Sequence, residues 1–239
     1  MNVEAQCSWK TSLLVGNIYK WIAFESVYFS STTHGWAVGQ DGTIINTTNG
    51  GSTWTEQTTN ITEHLYDVYF ITDTIGWAVG RNGAILTTSN GGNTWTAQSS
   101  GTTEYLRGTF FTSATKGWAV GRKGTILTTN DGGITWTSQI SGTDDYLHNP
   151  FFTSDTQGWV VGNNDTILST SNGGSTWTSQ SSGSKGYLSD VSFISATKGW
   201  AVGYNGMILT TNNGGSNWSA QSSGTSETII SVHFISANQ

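Results

Sequence analysis

The chain has 239 residues, of which 10% are charged and 12% aromatic, with 31 glycines against one proline; this excludes long helices and favours one all-β domain of short strands joined by glycine turns. A net charge of −6 with only nine Lys and Arg excludes nucleic acid as a generic partner, because phosphate neutralisation needs surplus cations. The lone cysteine, Cys7, excludes an internal disulfide and a thiolate metal cluster.

Residues 1–21 read as an irregular N-terminal segment that supplies one or two strands of a closing blade, and residues 22–239 as a single β-propeller domain. The apolar run Leu13, Leu14, Val15 stops at Gly16, far short of a signal core or a membrane span. No span is expected, and localisation stays undetermined at this level. Leu14-Val15-Gly16-Asn17 echoes Val160-Val161-Gly162-Asn163 further on, while Trp9 and Trp21 break the later pattern and are candidates for contact surface.

From Phe29 onward the chain is one unit copied at a strict 41-residue step. A Gly-Trp-Ala-Val-Gly-type motif places tryptophans at 36, 77, 118, 159 and 200, and a second series stands at Trp54, Trp95, Trp136, Trp177 and Trp218. Phenylalanines keep the same step at 29, 70, 111, 152, 193 and 234. A period in the low forties with short alternating strands predicts propeller blades rather than shorter leucine-rich or ankyrin units. Within one copy the predicted strands are Leu65 to Ile71, Gly76 to Gly80, Ala84 to Ser89 and Thr94 to Ser99, the first innermost and the last outermost. Five complete blades are predicted, and Phe234 marks a sixth inner strand. Whether Phe234 and Trp9 meet as a reduced sixth blade is open; a five-bladed ring with a displaced strand, a swapped oligomer or a piece of a longer propeller fits equally.

The third-to-fourth connection, Thr88-Ser89-Asn90-Gly91-Gly92-Asn93-Thr94-Trp95 and its copies, resembles the Asp-box of bacterial-neuraminidase-type repeats. Asn49, Asn90, Asp131, Asn172 and Asn213 are expected to accept backbone amides in the turn, and the glycines to supply positive φ. The tryptophan that follows plugs the blade interface. Ten repeat tryptophans also suit sugar stacking, but a chain short of leucine needs its indoles inside, where each contributes about 4 to 6 kcal/mol as an upper bound.

With the rest of the unit nearly fixed, function is expected where the copies differ. Just before the inner strand stand Glu25, Tyr66, Arg107, His148, Ser189 and Ile230; beside the Gly-Trp motif the turns read Gln40-Asp41, Arg81-Asn82, Arg122-Lys123, Asn163-Asn164 and Tyr204-Asn205. Both connections emerge on one face of a propeller. Arg81, Arg107, Arg122 and Lys123 make a local basic patch there, suited to carboxylates, with Tyr66, His148 and Tyr204 beside it. Glu63, Glu104, Asp144 and Asp145 partly neutralise it, and exposed turn tips carry charge for solubility in any case. Sialidase chemistry is not expected: the three arginines cluster in one third of the chain, the Arg-Ile-Pro segment is missing, and near-identical repeats leave no asymmetric constellation. His34, His64, His148 and His233 share no metal-ligand spacing and read as surface or turn residues. No catalytic residue, metal or cofactor is expected.

The full unit, GWAVGRNGAILTTSNGGNTWTAQSSGTTEYLRGTFF, resembles the repeat of the photosystem II assembly and stability factor family from about Phe29 to Phe234. The resemblance implies a non-enzymatic propeller that docks onto partner proteins, with Arg81, Arg107 and Arg122 as counterparts of a basic contact patch and an extracytoplasmic or thylakoid-associated setting. That family's propeller usually has seven blades and an export or transit segment, and neither is legible in this chain. A glycan-binding or cell-surface adhesion module is the alternative function, and self-association through unclosed terminal strands is a further expectation.

Overall fold

Phe70 ends the first strand of its repeat directly across from Gly76, and its ring lies so close over the glycine that a Cβ there would fall 2.5 Å from it. The same ring covers Gly35, Gly117, Gly158 and Gly199 in the other copies, so the opening glycine of each Gly-Trp motif is required by a cross-strand aromatic. The motif's closing glycine is equally constrained: a Cβ at Gly80 would lie 2.2 Å from the His64 carbonyl oxygen, and one at Gly203 2.1 Å from that of Tyr187. These contacts set the register of the first two strands.

The computed structural model describes residues 10–15, 18–183 and 186–234, with side chains from residue 22 onward. It divides into two compact units, Met1–Leu106 and Arg107–Gln239. In the first, β1 (Lys10–Val15), β2 (Ile18–Phe29), β3 (Gly35–Gly39), β4 (Ile44–Thr47) and β5 (Thr55–Gln57) form a sheet in chain order. β6 (Leu65–Phe70), β7 (Gly76–Gly80), β8 (Ile85–Thr88) and β9 (Thr96–Gln98) form the next. Three further four-stranded sheets follow. They are β10 (Leu106–Phe111) with β11 (Gly117–Gly121), β12 (Ile126–Thr129) and β13 (Thr137–Gln139); β14 (Leu147–Phe152) with β15 (Gly158–Gly162), β16 (Ile167–Thr170) and β17 (Thr178–Gln180); and β18 (Leu188–Phe193) with β19 (Gly199–Gly203), β20 (Ile208–Thr211) and β21 (Ser219–Gln221). The fold is an all-β propeller of antiparallel blades, and among the described residues helix is confined to three-residue 3₁₀ turns such as Arg81–Gly83.

Third and fourth strands are shorter than their apolar pattern predicts. In the second blade the outer strand spans Thr96–Gln98 rather than Thr94 to Ser99, because Thr94 is drawn into the turn, its N–H donating to Asn90 Oδ1 at 3.0 Å. At the N-terminus, Leu13, Leu14 and Val15 pair in β1 against β2. Trp9, Gly16 and Asn17 lie outside the described residues, as does the side chain of Trp21.

Neighbouring blades within a unit are joined by stacked rings. Trp36 lies flat on Phe70 at 3.5 Å between ring centres, and Trp118 on Phe152 and Trp159 on Phe193 repeat that distance. The Trp36, Trp77, Trp118 and Trp159 indoles are at most 1% exposed. The second tryptophan series meets the same phenylalanines edge-on, as Trp95 does Phe70 at 5.8 Å. A polar staple backs this packing. Gln57 Nε2 and Trp36 Nε1 both donate to the Gly91 carbonyl at 3.0 Å, and Trp95 Nε1 donates to Gln57 Oε1 at 2.9 Å. Gln139 and Gln180 make the equivalent bonds in the second unit.

Candidate functional site

In three of the sheets, the turn between second and third strands folds against the linker that enters the blade. Arg81 N–H donates to the His64 carbonyl at 2.8 Å, Asn163 to Tyr146 at 2.9 Å and Tyr204 to Tyr187 at 3.0 Å. The turn is left-handed at Asn82 and Gly83, with φ of 56° and 70°, and a Cβ at Gly83 would strike the Thr102 carbonyl oxygen at 2.1 Å. In these three sheets the two connections touch through the backbone.

The variable residue of the inner strand sits inside the strand and not before it, which corrects the sequence reading. In β6 the register steps from Leu65 to Asp67, in β14 from Leu147 to Asn149 and in β18 from Leu188 to Asp190. Tyr66, His148 and Ser189 are the extra residues of these bulges, and the corresponding step in β2 leaves out Glu25. A bulge turns one side chain out of the alternation, here toward the loop end of the sheet.

In the first unit this brings His64, Tyr66 and Tyr105 into one run: His64 stacks on Tyr66 at 4.8 Å and Tyr66 meets Tyr105 at 6.2 Å. Arg81 covers the end. Its Nε donates to the Tyr105 hydroxyl at 2.8 Å with the guanidinium 5.1 Å from the ring centre, and the Tyr105 hydrogen bond and charge raise its pKa further. His64 Nε2 stands 3.2 Å from Glu25 Oε1.

In the second unit the run is Tyr146, His148, Tyr187 and Tyr204, with ring centres 5.0, 6.0 and 5.4 Å apart in that order. His148 Nε2 donates to Asn163 Oδ1 at 2.8 Å. Burial pushes the His148 pKa below 6.5; the Asn163 bond works against the shift and the Arg107 charge adds to it. Tyr204 ends the run 51% exposed. Arg107 lies in β10 half-buried, while Arg122 and Lys123 are exposed at the β11–β12 turn, Lys123 with a φ of 52°. Of the acidic neighbours, Asp145 accepts from Thr166 and Thr143 hydroxyls and from Asn164 Nδ2, with its pKa lowered chiefly by Thr166.

Sequence reasoning named Tyr66, His148 and Tyr204 but missed their partners. Two of the four histidines, His64 and His148, belong to the aromatic runs. His64, Tyr105, Tyr146 and Tyr187 form a series at the 41-residue step, a signal passed over because this position precedes the buried leucine of each inner strand.

The box turns share one side-chain acceptor, with one addition to it. Thr53, Thr94, Thr135, Thr176 and Asn217 each donate a backbone N–H to the side chain of Asn49, Asn90, Asp131, Asn172 or Asn213. The addition is the threonine two residues before each of these, Thr88 for example, whose buried Oγ1 accepts the Gly92 N–H at 2.9 Å. The plug residues Trp54, Trp136 and Trp177 are half-buried, and Trp95 and Trp218 are buried, so the ten repeat indoles serve packing before any sugar. Among the described residues no group of three or more His, Cys, Asp and Glu is placed to hold a metal ion, and no helix is long and apolar enough to cross a membrane.

Among solved structures the chain is similar to YCF48 from Cyanidioschyzon merolae, at 19% identity over 86% of this chain and 75% of that one, with a TM-score of 0.67. It is also similar to the Niastella koreensis GH74 enzyme, at 16% identity over 86% of this chain and 41% of the other with a TM-score of 0.69. The RRP9 WD40 repeats match at 10% identity, 84% and 64% coverage and a TM-score of 0.73. At such identities these likenesses show the fold, a propeller. No curated protein matches the chain in sequence. The family model described as photosynthesis system II assembly factor YCF48 matches residues 100–181 and again 139–220. Together these span 100–220, just over half of the 239 residues, and the chain belongs to that assembly-factor family.

Proposed function

We propose that the chain is a non-catalytic docking scaffold that holds a partner protein on the loop end of its blades, recognising carboxylate-bearing segments through arginine. The observation that carries this is the seat of Arg81. Tyr105 fixes its guanidinium by a hydrogen bond and by its ring face, while the residue itself stays exposed. A positioned guanidinium presents its remaining donors to a carboxylate with little ordering cost. Family membership supports a role in assembly rather than hydrolysis. The aromatic runs add rigid apolar faces beside the cations, a combination enriched where proteins bind one another.

The test is capture of binding partners by the tagged chain and by the Arg81→Ala, Arg122→Ala double variant. At about 50 mM salt the variant should retain several-fold less partner, and the difference should shrink toward about 500 mM, where screening suppresses the same contacts in the parent. Equal capture at low salt overturns the proposal.

A further inference from the structure

The repeat keeps both ends of its outer strand polar in four copies and apolar in one. Ile134 and Ile140 flank β13 and are 75% and 90% exposed. Where Ile134 stands, the other copies carry Ser52, Asn93, Ser175 and Ser216; where Ile140 stands, they carry Thr58 and three serines. All of these residues are exposed as well. Both positions therefore face solvent in every blade, and packing within the chain does not account for isoleucine at either. Two large apolar side chains brought together on a polar rim mark a surface that something covers.

The strand between them has an open edge. β13 pairs with β12 through Thr137, Ser138 and Gln139 and ends its sheet; among the described residues no strand lies on its other side. Open edges are commonly guarded by charge, as exposed Glu56 guards β5. From Gly132 to Thr143 the third blade has no charged side chain. In a chain of net charge −6, this is a stretch where two copies can meet without opposing like charges.

The spacing of the two isoleucines sets what fits. They are equidistant in sequence from Thr137, and strand alternation turns residues 134, 136, 138 and 140 to one side. When a second copy of β13 lies antiparallel with Thr137 opposite Thr137, Ile134 of each copy falls opposite Ile140 of the other on the same face, and Trp136 opposite Ser138. Cross-strand neighbours of this kind stabilise a ladder. A shift by two residues in either direction sets an isoleucine opposite glycine, Gly142 or Gly132. The segment is thus complementary to itself about a two-fold axis, the property an isologous dimer requires. We propose that the outer edge of the third blade is a self-association surface, on which β13 pairs antiparallel with β13 of a second copy about Thr137. The contact is short against the standard interface of about 1,600 Å², so the dimer forms and dissociates with concentration. No arginine lies in the paired segment, which separates this contact from the docking role.

Sedimentation velocity of the full chain tests this at about 300 mM salt, where net-charge repulsion is screened. The dimer fraction should rise between about 10 µM and about 500 µM protein. Ile134→Ser with Ile140→Ser, serine being the residue most other copies carry at both positions, should weaken dimerisation about tenfold or more and leave the far-UV spectrum unchanged. Cross-linking reads the register. In a Cys7→Ser background, Thr137→Cys should form an intermolecular disulfide, because opposed strand residues bring their Cβ atoms to about 4.5 to 5.5 Å. Thr178→Cys, the same position in the fourth blade, should not. If the isoleucine variant fails to fold, the cysteine pair decides alone. A monomer across the whole concentration range, a dimer indifferent to the double variant, or equal cross-linking at positions 137 and 178 each overturns the proposal.

Discussion

Gly158 has a ring on one side that cannot retreat. A Cβ there would lie 2.3 Å from Phe152, which is itself stacked at 3.5 Å on Trp118. Gly158→Ala should therefore destabilise the fold by about 1 to 3 kcal/mol, the range of core overpacking, read as a lower urea midpoint. The glycines were legible as turn and motif letters; that they lie under a phenylalanine was not, because the ring arrives from another strand. His148 carries a different signal. Its folded pKa lies below 6.5, so the unfolded chain takes up the proton first, and its contribution is complete above about 6.5 and lost as pH falls through that value toward the folded pKa. Denaturation midpoints measured from pH 7 down to pH 5 should fall more steeply for the parent than for His148→Gln. The residues bearing on this titration are Asn163, Arg107, Tyr146 and Tyr187.

At the level of strands and turns, apolar periodicity revealed most of the blade and little of what ties blades together. Trp36, Phe70 and their copies stand out by type as well as spacing. Gln57, Gln98, Gln139, Gln180 and Gln221 recur just as strictly, yet a polar residue ending an exposed strand looks like surface until its partners are known. Those partners lie 34 and 38 residues away, on the next blade. Gln139 binds the Gly173 carbonyl and receives Trp177 Nε1, so Gln139→Ala should cost about 2 kcal/mol through two lost hydrogen bonds and an unpaired indole. Gln221, the exposed fifth copy, should tolerate alanine within about 0.5 kcal/mol. Denaturant titration of the two variants side by side checks both. The inner-strand bulges escaped the sequence for a related reason: an extra residue breaks no apolar letter, and Tyr66 and His148 then read as linker.

For the molecule as a whole, the fold class and the family were legible because five copies of one unit leave little freedom, and the function was less so because it rests on what differs between them. The chain's net charge of −6 keeps cations scarce, so a single guanidinium held in place, that of Arg81, weighs heavily in recognition of carboxylates. That balance also ages. Asn49, Asn90, Asn172 and Asn213 each precede a glycine, the pairing in which asparagine is most prone to deamidate, and asparagine is a thermolabile residue. Asp131 shows what the turn does with the product: it accepts Thr135 N–H and Oγ1 and the Thr129 hydroxyl, bonds that hold its carboxyl down to about 2. Conversion to aspartate at the other four boxes would thus keep the turn, remain ionised at neutral pH and add one negative charge each time. An old molecule would differ from a young one less in shape than in its appetite for acidic partners.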